Sequence, residues 1–88
     1  MNGALEFAYK VANDYIDIIK NDLDFMKSHP NSRRSYRTEF YCWQDAIERL
    51  IDRLYDFNTP DGEIQVFESR YDYEIDTLWK VMLEIEGE

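Results

Sequence analysis

The only histidine and the only cysteine are the residues of this sequence best suited to nucleophilic chemistry. A cysteine nucleophile needs a base held beside it, and only His29 could serve as that base for Cys42. His29 stands directly before Pro30, and nothing in the spacing pairs it with the cysteine. The three glycines are scattered, so they form no phosphate-binding loop. The sequence therefore predicts neither an enzyme nor a bound cofactor.

Calcium binding by residues 56–68 is a second possible chemistry. Gly62, Ile64 and Glu68 have the mutual spacing of the turn glycine, the central aliphatic residue and the bidentate glutamate of an EF-hand loop. In that alignment the first ligand position falls on Phe57, which offers no side-chain oxygen. A turn leading into a helix is the simpler interpretation. A single cysteine also rules out a zinc site built on several cysteines, so no metal site is predicted.

Acidic residues are concentrated in the last third of the chain. Residues 58–88 carry Arg70 and Lys80 against nine acidic residues, a net charge of −7 out of −9 for the whole chain. Glu68, Asp72 and Asp76 follow one another at intervals of four residues, which places them on one side of a helix, about 6 Å apart along its axis. We call these three carboxylates the acidic row.

The acidic row has two interpretations, a solvated helix face or an interaction surface. Aromatic residues beside such a row are typical of binding hot spots. A strongly acidic chain disfavours nucleic acid and anionic lipid as direct ligands, and it favours a basic protein surface. The predicted partner-binding residues are Glu68, Asp72, Asp76, Trp79 and Leu83, with Tyr73 farther round the helix.

Carboxylates spaced along a helical protein can imitate the phosphates of nucleic acid. Small proteins of phages and mobile elements that block host defence nucleases have this general size and composition. We therefore expect a stoichiometric inhibitor that docks on the basic surface of a nucleic-acid-handling protein.

Two clusters of turn-forming residues, at 28–32 and 58–62, divide the chain into three segments with helical periodicity. They predict helices over about 3–28, 33–57 and 60–86, with Thr59 as N-cap of the last. Residues 63–68 also alternate like a short strand, but the helical pattern continues past Tyr71. Short connections make neighbouring helices antiparallel. The expected fold is all-α, a single-domain, up-down-up three-helix bundle.

The first segment has a second, thinner apolar stripe beside its main one. It consists of Phe7, Val11, Ile18 and Phe25, and we call it the α1 stripe. It completes the core, joins two copies of the chain or forms a groove for a partner. A homodimer, in which the chain acts as a structural subunit, is therefore the alternative function.

The remaining expectations concern location and the basic residues. One thiol suits a reducing compartment, and no apolar run reaches the length of a membrane span or resembles a signal peptide. These features predict a cytoplasmic protein. Arg33, Arg34 and Arg37 cluster near the first turn, where we expect them to pair with acidic residues of neighbouring helices.

Overall fold

The computed structural model of the chain describes residues 3–29 and 37–87. Over these residues it contains three helices, α1 (Gly3–Ser28), α2 (Arg37–Asp56) and α3 (Asp61–Glu86), and no strand. Each helix packs against both others in a body of 47 × 17 × 16 Å. The predicted three-helix bundle is confirmed, and so is the helical rather than extended structure of residues 63–68. The predicted helical residues 33–36 lie outside the described part of the chain.

The connection between α2 and α3 is longer than predicted by one residue at each end, because α2 ends at Asp56 and α3 begins at Asp61. Asn58 has a left-handed backbone conformation with φ of 58°. Its N–H donates to the Tyr55 carbonyl, and the Thr59 N–H donates to the Leu54 carbonyl, both at 3.0 Å. These two bonds form a Schellman motif, which ends a helix sharply.

The start of α3 differs from the prediction at one residue. Pro60 holds the N-cap position, and its carbonyl accepts the N–H groups of Glu63 at 3.0 Å and Ile64 at 3.1 Å. The N-cap position predicted for Thr59 is thus held by Pro60, and that prediction is wrong by one residue. The physical reason is the backbone of Pro60, whose ψ of 136° is extended rather than helical, so the first helical residue is Asp61.

The same geometry does not provide the loop that the calcium-binding alternative for residues 56–68 requires. An EF-hand needs a loop of about twelve residues between its helices. Here α3 already includes Gly62, Ile64 and Glu68, so these residues are helical. No group of acidic, histidine or cysteine side chains within the described residues could hold a metal ion.

The core lies along the axis of the bundle, where the apolar seams of the three helices meet. Helical periodicity places one narrow apolar face, or seam, on each helix, and α1 and α2 bury the main part of theirs. All seven residues of the α3 seam are buried: Ile64, Phe67, Tyr71, Ile75, Leu78, Met82 and Ile85. Burial of these apolar side chains is the main force that holds the helices together. The buried residues are Ala8, Ala12, Ile16, Ile19, Leu23, Met26, Phe40, Ile47, Leu50, Leu54, Ile64, Phe67, Tyr71, Ile75, Leu78, Met82 and Ile85.

A polar network fixes α1 against α3. The Tyr71 hydroxyl donates to Asn13 Oδ1 at 2.5 Å, and the Arg70 guanidinium donates to the same oxygen at 3.4 Å. Arg70 also lies over the Tyr9 ring, 5.5 Å from its centroid. The Tyr9 ring in turn meets Phe67 edge-on at 5.1 Å. These contacts pack this side of α3 against α1, and another side of α3 faces α2.

Candidate functional site: an acidic groove between α2 and α3

A groove of about 540 Å³ runs along the surface between α2 and α3. Its floor contains isoleucines of both helices, among them Ile47 and Ile75, which are buried in the core. Carboxylates stand on both walls. We call this feature the acidic groove, and it is lined by Tyr41, Gln44, Ile47, Glu48 and Ile51 of α2 and by Glu68, Asp72, Ile75, Asp76 and Trp79 of α3.

Most of the carboxylate charge in the acidic groove is not neutralised by the described residues. Asp76 pairs with Lys80 at 3.1 Å, and both side chains are exposed. Glu48, Glu68 and Asp72 make no ion pair or hydrogen bond with any residue that the structure describes. An exposed pair such as Asp76–Lys80 contributes little stability. The groove therefore has apolar side chains at its floor and carboxylates on both walls.

Aromatic side chains close one end of the acidic groove. The Trp79 ring meets Phe40 edge-on at 5.4 Å and Tyr41 at 5.9 Å. Arg37 lies over the Trp79 ring, 5.6 Å from its centroid, and bonds Glu86 at 3.1 Å. These contacts join the start of α2 to the end of α3, and Trp79 remains partly exposed among them.

The predicted pairing of basic residues with neighbouring helices therefore holds for Arg37. Arg33 and Arg34, which were expected to behave in the same way, lie outside the described residues. Neither Asp72 nor Asp76 is paired with Arg37, whose carboxylate partner is Glu86. The acidic row thus remains available to solvent.

The structure brings four of the six predicted partner-binding residues into the acidic groove: Glu68, Asp72, Asp76 and Trp79. Leu83 lies one turn beyond Trp79, outside the groove, with 39% of its surface exposed. Tyr73 is 73% exposed and does not line the groove. It projects from a different side of α3 because it is displaced about 100° from Asp72 on the helix.

Sequence reasoning did not identify the contribution of α2 to the site. Glu48 and Tyr41 line the groove because they flank the α2 seam on the side that faces α3. Helical periodicity finds a seam, but it does not reveal which flank of the seam meets which neighbouring helix. The signal that was available is the position of Glu48 between Ile47 and Ile51, at the border of the seam.

The α1 stripe lies on the opposite side of α2. Phe7 and Val11 line a second groove, between α1 and α2, together with Arg49. Ile18 and Phe25 are exposed, and the Phe25 ring stacks on His29 at 4.2 Å. Only Val11 packs against the core, so the stripe is not ordinary core.

The histidine and the cysteine are far apart. Trp43 contacts Tyr15, with ring centroids 5.0 Å apart, which places the adjacent Cys42 beside the middle of α1. His29 follows the last turn of α1, and its Nδ1 is 3.1 Å from the Phe25 carbonyl oxygen. The separation along the bundle is about 20 Å at the helical rise per residue, too far for proton transfer between the two side chains.

The acidic groove is thus the most distinctive surface of the described residues. None of the three helices contains, in its described residues, a stretch long and apolar enough to cross a bilayer. No family model, curated protein or solved structure matches the chain.

Proposed function

We propose that this protein is a binding module that docks its acidic groove on the basic surface of a partner protein. The observation that carries the proposal is the set of carboxylates that stand on both walls of the acidic groove and pair with none of the residues that the structure describes. Keeping like charges at helical spacing costs stability, and a basic partner would offset that cost. The module acts stoichiometrically, without chemistry of its own.

The proposed class of partner is a nucleic-acid-handling protein, because such proteins present basic surfaces. Occupying that surface would inhibit the partner, in the manner of an anti-defence protein. The acidic row has one charge per 6 Å or so, whereas one DNA strand carries a phosphate about every 3.4 Å. Charge alone therefore imitates DNA weakly, and the apolar floor and Trp79 must supply part of the affinity.

Neutralising the groove tests this function. The variant Glu48→Gln, Glu68→Gln, Asp72→Asn removes the three unpaired carboxylates and should lose the partner in affinity capture from a lysate of the source cells. The captured wild-type complex should weaken steeply as salt rises, because steering between opposite charges is screened. Added duplex DNA should displace the module if the partner surface is a nucleic-acid site.

A matched control separates the groove from overall charge. The variant Asp17→Asn, Asp24→Asn, Glu84→Gln changes exposed acids on other faces, and both triple variants change the net charge from −9 to −6. The control should keep the partner. Equal recovery with both variants, at low and high salt, would contradict the proposed function.

The second candidate function is self-association through the α1 stripe. It is favoured by the exposure of Phe7 (55%), Ile18 (43%) and Phe25 (47%), since large apolar side chains on one line of a helix often mark an interface. Sedimentation at increasing concentration should then show a dimer that Ile18→Ser and Phe25→Ser abolish. A monomer throughout the concentration series would exclude it.

A further inference from the structure

We propose that the occupant of the acidic groove is a basic amphipathic helix of the partner, which lies between α2 and α3 as a fourth helix. This inference rests on the proposed function and specifies the structure of the segment that is bound. Three features indicate which kind of segment binds. They are the chemistry of the floor and walls, the length of the groove, and the backbone of the helices that form it.

The floor and the walls of the groove require an occupant with two kinds of surface. The floor is apolar, with Ile51 partly exposed and Ile47 and Ile75 buried directly beneath it. The walls carry Glu48 on one side and the acidic row on the other. A helix with an apolar stripe along one face and Lys or Arg on both flanks matches this cross-section, because its stripe meets the floor while its flanks meet the carboxylates.

The length of the groove also fits a short helix. Glu68 and Trp79, which lie toward its two ends, are separated by eleven residues of α3, or about 16 Å. A helix of about three turns spans that distance. At the Trp79 end, Tyr41 is 61% exposed and can cover the terminal apolar residue of the bound helix.

The backbone of the groove argues against an extended occupant. An extended peptide usually binds by pairing its N–H and C=O groups with a free sheet edge. α2 and α3 use their backbone groups within the helices, so they offer no such edge over the described residues. A strand in this groove would leave its backbone polar groups without protein partners, whereas a helix satisfies its own.

Synthetic peptides provide the test. The probe is a peptide of about fourteen residues made of leucine and lysine with helical periodicity, and isolated helices of that length are marginal in water. Binding should therefore raise its helicity, measured by circular dichroism, and should shift Trp79 emission. The shift is best read in a Trp43→Phe background, which keeps an aromatic ring against Tyr15.

Two comparison peptides decide whether helical periodicity matters. One has the same composition with leucine and lysine in strict alternation, which favours a strand, and the other is oligolysine. The helical-period peptide should bind at least about tenfold more tightly than either of them, because only its apolar face can cover the floor. Equal affinity of the two leucine–lysine peptides would overturn the inference.

The variants defined above locate the binding. Glu48→Gln, Glu68→Gln, Asp72→Asn should weaken the helical peptide by about tenfold, as expected for three rim charge pairs, and the control triple variant should not. If all three peptides bind alike and the groove variant weakens all of them, basic docking stands and the helical occupant is wrong. If the groove variant weakens none, both proposals fail.

Discussion

The Tyr71 hydroxyl joins α1 to α3 through its hydrogen bond to Asn13 Oδ1. The residue is buried, and burial raises the pKa of Tyr71 above its usual value near 10, although the nearby Arg70 lowers that pKa in part. Below pH 10 the phenol is neutral in both the folded and the unfolded chain. Above pH 10 the unfolded chain ionises first, so the free energy of unfolding falls as pH rises through and beyond 10.

Tyr71→Phe tests this network. At pH 8 the variant should lose about 1 kcal/mol of unfolding free energy, the usual cost of a lost side-chain hydrogen bond. Between pH 8 and pH 11 its stability should fall less than that of the wild type, because the buried phenol no longer titrates. Urea unfolding at both pH values measures the two effects. Parallel losses in the two proteins would show that Tyr71 does not contribute to the alkaline sensitivity.

Asn58 is the residue at which backbone conformation limits the choice of side chain. Its φ of 58° is one that asparagine and glycine tolerate and that β-branched residues disfavour. Asn58→Gly should leave the unfolding free energy almost unchanged, whereas Asn58→Val should lower it by about 1–2 kcal/mol. Thermal unfolding distinguishes the two, with an expected fall of several degrees for valine. A valine variant as stable as the glycine variant would argue against the Schellman geometry.

At the scale of an element, α3 carries a charge arrangement that opposes its own stability. Asp72 has a carboxylate four residues away on each side, and like charges at that spacing destabilise a helix by about 0.2–0.5 kcal/mol per pair. Asp72→Asn should therefore raise the unfolding free energy by about 0.5–1 kcal/mol at low salt, and the gain should shrink as salt is added.

Asp17→Asn is a suitable comparison for that change, because residues 13 and 21 at the corresponding positions are both asparagine. Denaturation of the two variants at low and high salt should show a gain only for Asp72→Asn. If the same variant also binds the basic peptide more weakly, stability and binding change in opposite directions, as expected for a functional surface. If Asp72→Asn does not raise the unfolding free energy at low salt, the like charges of the acidic row do not destabilise α3.

The helices were predictable from periodicity, and so were both ends of α1 and the end of α3, whereas the residues at which α2 ends and α3 begins were each misplaced by one. The α3 seam was predicted completely because every residue from Ile64 to Ile85 at helical spacing is apolar and large. Thr59 was misassigned because its type suits an N-cap, whereas the extended backbone of Pro60 moves the start of α3 to Asp61. The sequence signal for the sharper turn was Asn58, which tolerates the left-handed conformation.

At the scale of the whole molecule, stability depends on a single narrow core. Phe67 is fully buried and its neighbour Val66 is 62% exposed, so adjacent residues give a matched pair. Phe67→Ala should cost about 3–5 kcal/mol, a large part of the total for a domain of this size. Val66→Ala should stay within about 0.5 kcal/mol. Urea unfolding of both variants checks this, and similar losses would contradict the assigned packing.

The sequence was sufficient to predict the α3 wall of the acidic groove but not the α2 wall. The acidic row belongs to one helix, and spacing along that helix was sufficient to group it. The opposite wall depends on how far α2 is rotated about its axis and shifted along α3. That register is set by contacts such as Tyr41 with Trp79, which are not encoded in the periodicity of either segment.

Cys42 gives this molecule a ready-made reporter position. It is exposed, it is the only thiol in the chain, and it lines the groove between α1 and α2 rather than the acidic one. A spin label or fluorophore attached there would sense a second copy arriving at the α1 stripe, while Trp79 would sense a basic ligand on the other side of α2. One labelled sample can therefore distinguish a dimer from a complex by which of two spectroscopic signals responds.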